Sequence, residues 1–222
     1  MSKPMRLLAL FVLSVALVVG ISLVYAQTAA PNPDVAALLK PQTDGGKPLM
    51  QALQLRRSTR SFAPQELPPQ VLSNLLWAAF GVNRPETGQR TAPSARNWQE
   101  IDLYLASKDG LFLYLPKSHS LKQLLKDDVR ASIGAQAYVQ TAPVVLIYVA
   151  DFDRMRDARP EDRAFYYGAD TGFISQNVYL FSASEGLATV VAAMAKPDLA
   201  AKLSLRSDQK VVFIQPVGYP GK

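Results

Sequence analysis

Pro143 is followed by VVLIYVA, Val144 to Ala150, a run of seven residues with no charge and no break. Its β-branched and aromatic content suits the pleated surface of a strand. A strand that is apolar on both sides has no face to offer water. It must therefore run through the middle of a sheet that is covered on both faces.

The rest of the chain supplies the covering. Pro48 to Leu55 reads as a short helix with Pro in its first turn. Leu67-Pro68-Pro69 opens a second helix through Phe80, where Val71, Leu72, Leu75, Leu76 and Ala79 recur at helical spacing and Gly81 ends it. Val82 to Asn97 is a polar loop, long enough to be functional. Ile101 to Ala106, the SKDG turn and Leu111 to Leu115 form a hairpin. His119 to Lys126 and Val129 to Tyr138 read as helical. Glu161 to Ser184 is a long helix closed by Gly186 and apolar around most of its circumference, as a helix buried in a core or a subunit interface would be. Leu187 to Ala193 is a strand, Pro197 to Leu203 a short helix, and Val211 to Val217 the last strand. Helices and strands mix without βαβ repetition and without an internal repeat. The expected class is α+β, with a mostly antiparallel central sheet flanked by helices.

The N-terminus stands apart from this pattern. MSKPMR carries two cations, and Leu7 to Val24 is almost wholly apolar, with Val24-Tyr25-Ala26 after it. This is the layout of an export signal over residues 1–26, with an uncleaved membrane anchor as the alternative. Lys3 and Arg6 would stay in the cytoplasm, so both readings place the body outside it, periplasmic or otherwise extracytoplasmic. Gln27 to Lys47, rich in Ala, Pro, Asn, Thr and Gly, reads as a flexible linker, which leaves residues 48–222 as one domain.

Cleavage after Ala26 removes two cations and no acid, so the net charge falls from +6 to +4. No run of five or six cations is present, which excludes the usual nucleic-acid binders. The chain has no cysteine and a single histidine, His119, so neither disulfides nor a histidine metal site is expected. His119 follows Pro116 among lysines and reads as exposed, with no partner that would make it a general base.

Three stretches carry the chemistry. RRSTRSF, Arg56 to Phe62, sets three guanidinium groups among three hydroxyls. Such a set makes forked, charge-assisted bonds to an anion such as phosphate, although a solvated basic turn has the same composition. RTAPSARNWQEIDLYL holds a polar turn, Pro93 to Asn97, whose Asn amide offers donors and an acceptor to the edge of a heteroaromatic ring. SEGLATVVAAM closes the long helix and continues as a strand of small residues that lets a flat ligand approach the backbone. Each alone also fits ordinary packing. Tyr166, Tyr167 and Tyr179 read as core or interface residues, Trp77 as part of an apolar helix face, and Trp98 as a packing residue.

Together, in this order and at this spacing, the three stretches resemble the flavin-dependent nitroreductase family. The resemblance runs from Leu49 to the C-terminus and includes QPVGYP at Gln215 to Pro220 as the last strand. It implies a three-layer nitroreductase-like fold, an FMN cofactor and a homodimer whose site is shared between subunits. It also implies electron transfer to a small organic acceptor, nitro-aromatic or quinone-like. In the implied roles, Arg56 and Ser58 hold the FMN phosphate, with Arg57 between them. Arg60 lies near the pyrimidine end of the ring, where reduction places negative charge. Pro93, Ser94 and Asn97 lie along the ring edge, and the backbone at Ala192, Ala193 and Met194 approaches the central ring nitrogen. Lys222 stands where members carry basic residues near the phosphate. Many members have a carboxylate and a glycine where this chain has Ala193 and Met194. Export makes NAD(P)H a poor match as the electron donor, so a redox partner is the alternative. A flavin-binding module without turnover, a dehydrogenase of peptide-derived rings and an enzyme that breaks down flavin share the same cofactor grip.

Overall fold

The computed structural model describes residues 33–192 and 198–222. The export segment, residues 1–26, and the site positions Ala193 and Met194 lie outside them.

The uninterrupted apolar run is strand β7, Val144–Asp151, and every residue in it is buried. Its odd and even residues enter different cores. Val144, Leu146, Tyr148 and Ala150 pack with Leu75, Leu76, Phe80, Ile174 and Val178, whereas Val145, Ile147 and Val149 pack with Ile133, Val139, Leu199 and Leu203. The period of two in a strand therefore builds a three-layer molecule from one segment.

Around β7 the chain runs as follows. Strand β1 is Val35–Ala37, helix α1 Leu49–Leu55 and helix α2 Pro69–Phe80. A small hairpin of β2, Val82–Arg84, and β3, Gln89–Arg90, precedes β4, Ile101–Ser107, β5, Gly110–Leu115, and β6, Ser120–Leu125. Helix α3, Ala137–Thr141, leads into β7. Helix α4, Arg163–Glu185, is followed by β8, Ala188–Thr189, helix α5, Leu199–Lys202, and β9, Gln209–Gly218. The seven-stranded sheet has the order β1-β6-β5-β4-β7-β9-β8, and every pairing in it is antiparallel. The fold is α+β, as expected. Helices α2 and α4 pack against each other and cover one face.

Two glycines punctuate the helices for different reasons. Gly186 closes α4 in the left-handed region, φ 72°, with open space where a side chain would go, so backbone conformation alone selects glycine there. Gly81 ends α2 with an extended backbone. A Cβ there would meet Trp77 Cδ1 at 2.4 Å, so the requirement is space.

Three expectations are corrected. Residues 34–47 are not a free linker. Val35–Ala37 pairs with β6 at the sheet edge, Leu38 N donates to His119 O, Gln42 N to Asn74 Oδ1, and Lys47 N to Ser184 Oγ. The segment expected as a helix over 119–126 holds strand β6, Ser120–Leu125, instead. The Leu121, Leu124 and Leu125 spacing mimics a helix, but pairing with β5 and β1 on both sides satisfies the backbone as a strand. The segment expected as a helix over 129–138 is a short 3₁₀ turn, Arg130–Ser132, followed by α3.

His119 is not free either. Its Nδ1 lies 2.9 Å from Tyr114 Oη, and its Nε2 lies 2.8 Å from Ser73 Oγ and 3.1 Å from Leu39 O. This side chain ties the β5–β6 turn to α2 and to the segment after β1. Burial lowers its pKa.

Candidate functional site

The heptad begins where α1 stops. Arg56 caps that helix through its amide, which donates to Ala52 O. The backbone then crosses the ends of two strands. Thr59 N donates to Thr189 O, Phe62 bridges to Pro220, Ala63 N donates to Tyr219 O, and Gly221 N donates to Ser61 O. A Cβ on Gly221 would meet Ser61 Oγ at 2.4 Å, so the C-terminal segment can lie this close only as glycine. Lys222 O accepts from Ser61 Oγ at 3.4 Å, which places the last residue beside the heptad.

The side chains of this segment are held from below by Tyr179 of α4. Ser58 Oγ lies 3.0 Å from its hydroxyl, the Arg56 guanidinium lies 5.3 Å from its ring centre, and Val191 N donates to its oxygen at 2.9 Å. Sequence reasoning placed Tyr179 among packing residues. Its role shows only when α4, the heptad and the strand after Gly186 come together.

Arg56 is half-buried, and Arg57, Ser58 and Arg60 are exposed. None of the three guanidinium groups makes an ion pair or a hydrogen bond among the described residues. The remaining residues, 1–32 and 193–197, contain no Asp or Glu that could pair with them. Of the three, Arg57 lines a cavity of about 360 Å³, together with Lys47, Thr59, Tyr179, Ala188 and Gly221. Unpaired forked cations and a hydroxyl beside a cavity suit a phosphate-bearing ligand.

The second group lies elsewhere on α4. Asp170 Oδ2 accepts the Ala95 amide at 2.8 Å, whereas the heptad meets α4 at Tyr179, nine residues further on and about 14 Å along the axis. Within one chain, Pro93, Ser94 and Asn97 are therefore not brought to the heptad. Pro93 is exposed. Ser94 Oγ donates to Glu100 Oε2 at 3.1 Å and accepts from Gln99 N at 2.8 Å, so this hydroxyl braces the loop. Asn97 Oδ1 accepts from Gln99 Nε2 at 2.9 Å, the Asn97 backbone N donates to Ser94 O at 3.0 Å, and the side-chain Nδ2 has no partner among the described residues.

The loop is strained. Arg96, Asn97 and Gln99 all have positive φ, at 49°, 56° and 51°. Each costs roughly 1–2 kcal/mol for a residue with a Cβ. The strain is held by what lies beneath. Glu100 is fully buried and Asp170 nearly so, at 3% exposure. Glu100 Oε1 has no partner among the described residues. Burial first, and then the nearby charge of Asp170, push the Glu100 carboxyl up to about 7. A proton retained on this pair removes one buried negative charge and supplies a donor. Trp98 packs, as expected: Nε1 donates to Asp157 Oδ1 at 2.6 Å and the ring meets Tyr166 edge-on at 5.3 Å.

Ala192 corrects one expectation. Its amide donates to Ile214 O at 2.8 Å and its side chain is buried, so it has no N–H free for a ring.

A family model described as the nitroreductase family matches residues 53–219, which takes in the heptad from Arg56, the strained loop and strand β9. The chain belongs to the nitroreductase family. It is 34% identical over 146 residues to a candidate nitroreductase of Methanocaldococcus jannaschii, spanning 61% of this chain and 73% of that one. A candidate nitroreductase of Ralstonia eutropha, solved by crystallography, shares 39% identity at a TM-score of 0.81, with 87% of this chain and 93% of that one covered. The NADPH:FMN oxidoreductase of Vibrio harveyi, solved with NAD⁺, shares the fold at a TM-score of 0.57 and 18% identity, over 78% of this chain and 69% of that one. The nitroreductase match, like the mostly antiparallel sheet, accords with the order of motifs in the sequence.

Proposed function

We propose that this nitroreductase is an FMN-dependent oxidoreductase that passes electrons to a small organic acceptor. The observation that carries the reading is the heptad: three guanidinium groups without acids, beside Ser58 and the close-packed Gly221. Arg56, Arg57 and Ser58 would hold the phosphate, with Lys222 adjacent. Arg60 would face the pyrimidine end of the ring, where a fixed cation favours the reduced anion. FMN, when bound, supplies the two-electron chemistry, and the chain's residues bind and orient it. The Ala192 amide, engaged by Ile214 O, takes no part in this reading.

The separation of the heptad from the Ser94–Asn97 loop along α4 supports a homodimer, in which the loop of one copy completes the site of the other. Exposed apolar side chains on α1 and α4 support it too: Met50 is 75% and Phe165 74% exposed, with Leu49 and Phe173 beside them in the sequence pattern. An extracytoplasmic location remains our proposal from residues 1–26, and with it a donor other than NAD(P)H, such as a redox partner. Among the described residues no helix is long and apolar enough to cross a membrane.

The test is the absorption spectrum of the purified full chain after incubation with FMN and desalting, followed by anaerobic addition of NADH, NADPH or dithionite and then a nitro-aromatic or quinone. Retained yellow colour, bleaching by a donor and reoxidation by the acceptor are expected. Colourless protein would overturn the cofactor, and colour that dithionite bleaches but no acceptor restores would make the chain a binding module.

A further inference from the structure

A second cleft, about 410 Å³ in volume, opens between the Trp98–Gln99 turn and strand β5, and none of the residues proposed to hold flavin lines it. Its charged lining is Arg90, Lys117 and Arg154 against a single acid, Asp102. That acid is already engaged. Arg154 Nη2 donates to both Asp102 oxygens, at 2.8 and 2.9 Å, and Arg154 Nη1 donates to Gln99 O.

Arg90 has no such partner. Its guanidinium lies over Phe80, 4.2 Å from the ring centre, and its Nε is buried with no hydrogen bond among the described residues. Burial, and then repulsion from Arg154, lower its pKa to about 10. Arg90 is half-buried, and the charges of Asp102 and Glu100 offset part of that lowering, but neither carboxylate bonds to its guanidinium among the described residues, which leaves its donors open to an anion. Lys117, exposed on the β5–β6 turn, makes no ion pair among the described residues and adds to the same field.

The walls specify more than charge. Trp98 is fixed by Asp157 and Tyr166, and Tyr114 by His119, so two aromatic side chains stand in fixed positions. Leu113, Leu115 and Pro116 complete an apolar lining. A fork of N–H donors at one end of an apolar, aromatic cleft suits a carboxylate carried on a flat ring. We propose that this cleft binds an aromatic carboxylate, its acid group on Arg90 and its ring against Trp98 and Tyr114.

The probe is benzoate, titrated calorimetrically into the full chain at low salt, with benzamide as its neutral counterpart of the same shape. Saturable benzoate binding is expected, with benzamide weaker by at least about ten-fold, as the loss of a charged hydrogen bond implies. Arg90→Gln should weaken benzoate by a similar factor, and Lys117→Ala by about three-fold, the effect of a charge at the rim. No saturable binding, equal binding of benzamide, or benzoate affinity unchanged in Arg90→Gln would each overturn the site. Should Arg90→Gln fail to fold, the benzamide comparison and Lys117→Ala decide. Flavin plays no part in this measurement, so its outcome stands apart from the cofactor reading.

Discussion

Ser58 Oγ lies 3.0 Å from the hydroxyl of Tyr179, and that same oxygen accepts the Val191 amide at 2.9 Å. One phenol thus joins the heptad, helix α4 and the strand segment after β8. Tyr179→Phe keeps the ring beneath Arg56 but removes both hydrogen bonds. A stability loss of about 1–2 kcal/mol is expected in urea melts. FMN affinity should fall with it, because Ser58 loses its anchor. Unchanged flavin affinity in a destabilised Tyr179→Phe would separate Tyr179 from the cofactor grip.

Arg56 makes no ion pair, so its removal should affect the ligand and leave the fold alone. Arg56→Ala is expected to weaken FMN by ~1.5–3 kcal/mol, the range for a hydrogen bond to a charged group. Its unfolding free energy from urea melts without FMN should stay within about 0.5 kcal/mol of the parent. Loss of apo-protein stability with intact flavin binding would make the arginine a packing residue on the Tyr179 ring.

Arg60 separates holding from tuning. A phosphate contact matters equally in both redox states, whereas a cation near the ring matters more once the ring is an anion. Arg60→Gln should therefore bind oxidised FMN nearly as the parent does and lower its reduction potential. A differential of ~1.4 kcal/mol corresponds to about 30 mV for a two-electron couple. Dye equilibration reads the potential directly. An unchanged potential with weakened oxidised binding would place Arg60 on the phosphate with its neighbours.

The parts legible in the sequence are those whose signal is local. Strand β7 declares itself because both of its faces are buried, so Val144 to Ala150 are all apolar. Helix α4 shows its length and its end at Gly186, where only backbone conformation matters. The heptad and the Ser94–Asn97 turn were visible because cations, hydroxyls and turn formers are unusual in so apolar a chain. Strand β6 was not, because Leu121, Leu124 and Leu125 keep a helical spacing that only pairing with two neighbours overrides. Residues 34–47 have a linker's composition, and their attachment depends on partners as distant as His119 and Ser184. Tyr179 and the Glu100–Asp170 pair acquire their roles from packing between segments far apart in the chain, and no residue near them announces it.

That buried pair gives the chain a pH dependence whose sign follows from Glu100. Folding raises its pKa from the ordinary 4.5 to about 7, so between those values the folded protein holds a proton that the unfolded chain releases. The contribution of this group to stability is fully present below about pH 4.5 and falls as pH rises, until it is lost at about 7. The loss amounts to roughly 3 kcal/mol at most, from 1.36 kcal/mol per pKa unit. The groups that set the size of the effect are Asp170 of α4, Ser94 of the loop above, and Arg90, whose positive charge opposes the rise. Glu100→Gln keeps the shape, removes the titration and offers Asp170 a neutral neighbour. Parent and variant should be similar in urea at pH 5, and the variant should be the more stable at pH 8. Loop strain at Arg96, Asn97 and Gln99 is held by the same pair, through Ala95 N on Asp170 and Ser94 on Glu100. A stability difference that does not change with pH would show that Glu100 is ionised throughout, and the proton would then have no part in holding the loop.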